Sequence, residues 1–219
     1  MTNPVRKLDV VVGPRRLDGA LHVPDDPRGL VVFAHGSGSS RFSPRNSFVA
    51  GALVERGFAT LLIDLLTEEE ATDRRNVFDI PLLGARVVET IDWAAAQEPV
   101  RGLPIGLFGA STGAAAALLA AARRPKRVRA IVSRGGRPDL AGDALADVRA
   151  PTLLIVGGLD HDVLTLNRDA LRRLHVDARL DVVPGATHLF EEPGALEQVV
   201  EAAADWFASR LPAPANGED

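Results

Sequence analysis

Gly109-Ala-Ser-Thr-Gly113 sets a hydroxyl between two glycines placed two residues to either side. The motif directly follows an apolar run, Ile105 to Phe108, and directly precedes an alanine-rich stretch, Thr112 to Arg124. A serine on a sharp strand-to-helix turn has almost no room for neighbouring side chains, so the flanking positions need glycine and the hydroxyl stands clear of the sheet. Such a hydroxyl can attack a carbonyl carbon. The competing reading is a serine that caps the following helix while the glycines pack against the sheet. In a chain with 20 glycines the motif also arises by chance, so its surroundings must decide.

Serine is a poor nucleophile at neutral pH and needs a general base, a role whose pKa suits histidine. His22, His35, His161, His175 and His188 compete for it. His22 falls on an early strand expected at the sheet edge, and His175 precedes the strand at 178, at the edge opposite the site. His35 follows the first parallel strand and is placed to shape the adjoining loop, whereas His161 fits only an unusual triad order. His188, in the loop between the last strand and the last helix, is the expected base. The orienting carboxylate belongs on another loop between serine and histidine. Asp160, just past the Gly157-Gly158 turn, is preferred to Asp162 and Asp139, and the loser of the neighbouring pair would cap the helix before Leu164. With no cysteine in the chain, a thiolate nucleophile and thiolate metal sites are excluded.

Acyl transfer also needs donors aimed at the developing oxyanion. Thr112 should supply one backbone N–H, and the glycine-rich stretch His35-Gly-Ser-Gly-Ser39 the other, from Ser37 with Gly38 as the alternative. The loop lacks the Gly-Lys-Ser of a phosphate-cradling P-loop. Arg41 and Arg45 lie just beyond it, while Arg134 and Arg137 follow a buried strand, so four guanidinium groups are expected around the mouth. They would suit an acidic acyl ester, lactone or phosphorylated ester. The alternative is that these arginines are solvated or structurally paired.

These side chains need a scaffold that gathers them. Apolar runs at 8–12, 17–22, 30–34, 59–63, 105–108, 128–132, 152–156 and 178–183 read as strands. Helix-length segments at 44–56, 82–97, 112–124, 164–174 and 194–209 lie between the later ones, the pattern of an α/β fold with a mostly parallel sheet of about eight strands. The first two strands form an edge hairpin through Gly13-Pro14, and residues 65–80 a polar, acidic surface loop. No second apolar unit separates the strands ending at 132 and starting at 152, so no large lid is expected. The loops of Ser37, Ser111, Asp160 and His188 each follow a parallel strand and should meet at one carboxyl edge, where open α/β sheets bind ligands.

A chain of 219 residues with 46% hydrophobic and 25% charged residues suits one globular domain, 1–211, with a frayed tail at 212–219. A net charge of −4 without basic runs argues against nucleic acid as a partner. The amino terminus has no signal-peptide core and no stretch is apolar enough for a membrane span, so a cytoplasmic location is expected. The expected partner is a small-molecule ester. A homodimer would cover the open site, although no sequence feature establishes one.

The segments 35–46, 61–67, 109–113, 157–168 and 184–188 together resemble the α/β-hydrolase superfamily, specifically its small, lidless, dienelactone-hydrolase-like branch. The resemblance implies Ser111 as nucleophile, Asp160 as acid and His188 as base, ester or lactone hydrolysis through an acyl-enzyme, and no cofactor. It departs from dienelactone hydrolases proper, which carry cysteine where this chain has Ser111, so dienelactone itself is not implied. Relatives fused to a phosphoribosyltransferase-like domain exist in this branch, and 219 residues leave no room for one. Acyl transfer or perhydrolysis on the same triad, and a non-catalytic binding protein with this fold, are the other functions considered.

Overall fold

The computed structural model describes residues 4–211; the expected frayed tail lies outside them. One eight-stranded sheet runs through the molecule in the order β1-β2-β4-β3-β5-β6-β7-β8. Its strands are β1 (Val5–Val12), β2 (Leu17–Pro24), β3 (Leu30–Ala34), β4 (Ala59–Ile63), β5 (Ile105–Ala110), β6 (Val128–Arg134), β7 (Thr152–Gly157) and β8 (Ala178–Val183). β1 and β2 form an antiparallel hairpin and β2 pairs antiparallel with β4, whereas every pairing from β4 to β8 is parallel. Only β1 of the hairpin is an edge strand; β2 is interior, because its alternating apolar residues pack one face while its outer backbone bonds pair with β4.

The helices are α1 (Pro44–Glu55), α2 (Glu68–Ala71), α3 (Ile80–Ala94), α4 (Thr112–Arg123), α5 (His161–Arg173) and α6 (Ala195–Arg210). The sheet's two-residue alternation divides the core between them. Val31, Phe33, Leu62, Phe108 and Leu153 point toward α1 and α6, meeting Val49, Leu53, Val199 and Phe207. Val32, Leu61, Leu107, Ile131 and Leu154 point the other way, toward α3, α4 and α5. In α4, Ala114 to Ala117 are fully buried; methyl-sized side chains let this central helix lie close on the sheet.

Three local differences from the sequence reading have identifiable causes. The acidic loop holds α2, started by a capping box in which the Thr67 hydroxyl accepts from the Glu70 N–H and the Glu70 carboxylate accepts from the Thr67 N–H. Helix α3 begins at Ile80 because the Asp79 carboxylate accepts from the Leu82 N–H and Pro81 fits the first turn. Helix α5 begins at His161 rather than Leu164, which puts Asp160 at the N-cap. Between β6 and β7 lies a short 3₁₀ segment, Pro138–Asp147, kinked at Gly142, so no lid domain is present among the described residues. No helix there is long and apolar enough to cross a membrane.

Candidate active site

The carboxyl ends of β3, β5, β6, β7 and β8 bring their following loops to one edge of the sheet. Ser111 follows β5 with φ 50° and ψ −123°, a left-handed backbone that costs a non-glycine residue roughly 1–3 kcal/mol. The flanking glycines are required by contact. A Cβ on Gly109 would lie 2.4 Å from the Ala114 Cα, and one on Gly113 would lie 2.2 Å from the Ala34 carbonyl oxygen. Ser111 occupies the N-cap of α4 yet makes no capping bond. Its hydroxyl instead lines a cavity of about 240 Å³ shared with His188.

Asp160 is the N-cap of α5 and likewise makes no side-chain capping bond. Its Oδ2 lies 2.6 Å from Nδ1 of His188. A carboxylate only accepts, so Nδ1–H donates and the Nε2 lone pair is left to take up a proton. Aspartate is among the best N-cap residues, and a carboxylate that forgoes the cap to hold an imidazole is positioned for that ring. The two loops are zipped together: Gly158 N–H donates to Val183 O at 2.8 Å and Leu159 N–H to Ala186 O at 2.9 Å. Gly157 permits this approach, since a Cβ there would meet the Ala186 carbonyl oxygen at 2.4 Å. Asp162 is exposed in the first turn of α5, and Asp139 takes both arms of Arg137. No Ser111–His188 hydrogen bond is formed among the described residues, a contact that often tightens only around substrate.

The two amides expected to serve as oxyanion donors differ in how they are engaged. Thr112 is the first residue of α4, so its N–H has no intrahelical acceptor and is available beside Ser111. The Ser37 N–H is already engaged, donating to Thr112 Oγ1 at 2.9 Å. That hydroxyl is buried and needs a partner, and satisfying it fastens the loop after β3 to the start of α4. Gly38, the alternative donor, lines a neighbouring cavity of about 400 Å³ instead.

His35 holds the same loop from the other side. Its Nδ1 lies 2.9 Å from the Gly36 carbonyl oxygen and its Nε2 3.1 Å from the Leu65 nitrogen, so Nδ1 donates and Nε2 accepts in a neutral ring. Burial lowers its pKa, against smaller opposing effects of the Gly36 bond and Asp64. Because the folded value lies below the unfolded one, the unfolded chain binds the proton more readily. Stability from His35 is therefore complete above the ordinary histidine value of about 6.5 and is lost as pH falls below it toward the folded value. His22 is also lowered, by burial and then by Lys7. In urea melts at pH 7.5 and 5.5, a His22→Gln protein should lose more stability on acidification than a His22→Gln, His35→Gln double variant; equal losses would contradict the neutral-ring account.

The four arginines separate into two pairs. Arg41 is bound to Asp64 through its main-chain N–H and its guanidinium, stacks 4.2 Å from the centre of the Phe42 ring, and lines the neighbouring cavity. Arg137 pairs bidentately with Asp139 at 2.9 and 2.8 Å. Neither reaches the Ser111 cavity: a nearby carboxylate takes each guanidinium before it can extend. Arg45 and Arg134 do line it. Asn46, which the sequence reading passed over, lines it as well and accepts from Arg134 Nη2 at 3.2 Å. Its signal was a polar residue on the apolar stripe of α1 formed with Val49, Ala50 and Leu53. Among the described residues no group of three or more His, Asp or Glu side chains gathers that could hold a metal ion.

Comparison with known proteins places this geometry in a lineage. Residues 17–211 match the model of the dienelactone hydrolase family. The crystal structure of a dienelactone hydrolase from Anabaena variabilis superposes with a TM-score of 0.91 at 52% identity, covering 96% of this chain and 99% of that one. Est1E from Butyrivibrio proteoclasticus shares the fold at 18% identity and a TM-score of 0.76, over 94% of this chain and 98% of its own. A Mycobacterium tuberculosis protein bearing a provisional phosphoribosyl transferase name is 60% identical over 208 residues, 95% of this chain. This chain spans only 47% of that relative's length. With an α/β-hydrolase sheet, a strained serine turn and a family match over nearly all the described residues, the chain belongs to the dienelactone hydrolase family.

Proposed function

We propose that the chain is a serine hydrolase that cleaves carboxylic esters, lactones or thioesters through an acyl-enzyme on Ser111. The observation that carries this reading is the pairing of His188 Nδ1 with Asp160 at 2.6 Å on the wall of the cavity that Ser111 lines. In the first half-reaction Ser111 Oγ attacks the carbonyl carbon and its proton passes to His188 Nε2. The negative charge on the former carbonyl oxygen meets the Thr112 N–H. Collapse breaks the bond to the leaving alcohol or thiol, which takes the proton from His188. Water then repeats the sequence, releasing the acid and restoring Ser111. Asp160 keeps the imidazole in the right tautomer and balances its transient positive charge.

The His188 side chain is 39% exposed, so water can reach the base in the second half-reaction. The phosphoribosyl transferase name belongs to a protein of which this chain spans about half. Turnover of p-nitrophenyl acetate, quenched in acid and read by peptide mass, tests the covalent route. An acetyl group on the peptide containing Ser111, with a burst of nitrophenol, is the expected result. Steady turnover with neither burst nor acetyl-peptide would replace nucleophilic by direct general-base catalysis.

A further inference from the structure

Asn167 lies on the buried face of α5, the helix that Asp160 precedes, and is fully shielded from solvent. Its Nδ2 donates to two carbonyl oxygens, Val163 at 2.7 Å on the same helix and Gly136 at 2.9 Å on the loop after β6. Only the NH₂ end of an amide can face two acceptors, so the side chain's orientation is set. Its Oδ1 is left without a partner. A buried amide with an unmatched acceptor is a poor way to gain stability, since an apolar side chain of the same size would avoid the penalty. What the Nδ2 bond to Gly136 does gain is control of a peptide unit.

The Gly136 carbonyl shares its peptide unit with the Arg137 N–H, which donates to the Ser111 carbonyl at 3.0 Å. The Ser111 carbonyl in turn shares its peptide unit with the Thr112 N–H. In a planar trans peptide the C=O and the N–H point in opposite directions, so holding one end aims the other. A row of bonds therefore runs from Asn167 Nδ2–H to Gly136 O, from Arg137 N–H to Ser111 O, and ends on the Thr112 N–H, the donor that faces the developing oxyanion. Each bond in such a row polarises the next. The Ala114 N–H holds the Ser111 oxygen from within α4, at 3.1 Å, and the Arg137 N–H supplies the second direction that keeps the peptide plane from rocking. The same loop also seats the base: a Cβ on Gly135 would lie 3.1 Å from the His188 carbonyl oxygen and 3.6 Å from its Cε1.

We propose that Asn167 is a positioning residue for acyl transfer, which aims the Thr112 N–H at the oxyanion through the Gly136–Arg137 and Ser111–Thr112 peptide units. The proposal rests on Ser111 as the nucleophile and on the Thr112 N–H as an oxyanion donor. Asn167 itself touches neither substrate nor the reacting atoms.

The test compares Asn167→Ser with wild type. A serine hydroxyl can still bond the Val163 carbonyl one turn back but is one bond too short to reach Gly136, so the variant cuts the row and spares the helix. Thr152→Val is the control for lost stability, because it removes another buried donor, Thr152 Oγ1 to Ala150 O at 3.0 Å, at the amino end of β7 and away from the site. With p-nitrophenyl acetate, Asn167→Ser should lower kcat by about ten- to a hundredfold, part of what losing an oxyanion donor costs, and leave KM within about threefold. Thr152→Val should leave both within about twofold. Hydrogen exchange followed by NMR reads the row without substrate. The Arg137 amide should be protected in wild type and exchange at least about tenfold faster in Asn167→Ser, with the Thr112 amide proton shifted and neither changed in Thr152→Val. If Asn167→Ser fails to fold, Asn167→Thr, which keeps the hydroxyl and fills more of the space, carries the comparison. An unchanged kcat, a loss that Thr152→Val matches, or an Arg137 amide that exchanges freely in wild type or no faster in the variant would overturn the proposal. If wild type neither turns over the ester nor reacts with a fluorophosphonate, the hydrolase reading fails separately. The exchange and shift measurements then decide alone: both changes in Asn167→Ser support its hold on the Thr112 amide, and neither change refutes it.

Discussion

Replacing Ser111 with alanine is expected to lower kcat/KM for a reactive ester by at least about 10⁴-fold while leaving the thermal midpoint nearly unchanged. The hydroxyl makes no capping bond to α4, so its removal strands no partner. Alanine keeps a Cβ at the same positive φ and inherits the same backbone cost, so the change in stability should stay within about 0.5 kcal/mol. On the proposed mechanism, the activity loss would come from removing the hydroxyl that carries the acyl group. What rate remains would come from water attacking a carbonyl still held against the Thr112 N–H. Steady-state kinetics with paired melting curves would check both halves. A residual activity above about a tenth of wild type would mean that the carbonyl is attacked by something other than Ser111.

Asp160→Asn is expected to reduce kcat by roughly 10³- to 10⁴-fold without unfolding the chain. The 2.6 Å bond to His188 Nδ1 works because a carboxylate accepts and never donates. An asparagine can turn its NH₂ toward Nδ1, and the ring then carries its proton on Nε2, where it cannot accept one from serine. Asp160 makes no capping bond to α5, so the variant gives up little helix stability. Loss in kcat with KM little changed would mark a positioning role. A loss confined to KM would place Asp160 in substrate contact, and no loss would return the role to another carboxylate.

How legible these features were in the sequence followed their physics. The parallel strands were legible because residues buried on both faces of a sheet must be apolar, and Leu30–Ala34, Ala59–Ile63 and Thr152–Gly157 are buried throughout. The serine turn was legible because its glycines answer a steric demand that only glycine meets. Asp160 stood out through its place after Gly157-Gly158, but the sequence could not show that its carboxylate would leave the helix cap for His188. That choice depends on the β8 loop being zipped against the β7 loop, a contact between distant segments. The arginines were least legible. Spacing brings all four near the carboxyl edge, yet whether a guanidinium reaches the cavity depends on which carboxylate lies within its arc. Asp64 and Asp139 capture Arg41 and Arg137, while Arg134 emerges from a buried strand with only Asn46 and Phe190 around it. The engagement of the Ser37 amide was hidden for a similar reason, since its acceptor, the Thr112 hydroxyl, lies 75 residues away in sequence.

The most direct measurement is reaction with a fluorophosphonate probe, read by intact mass, in wild type, Ser111→Ala and His188→Ala. The account predicts one adduct per chain in wild type, none in Ser111→Ala, and slow or absent labelling in His188→Ala. Labelling that survives in Ser111→Ala, or a wild type that stays unlabelled where a known serine hydrolase reacts, would contradict it.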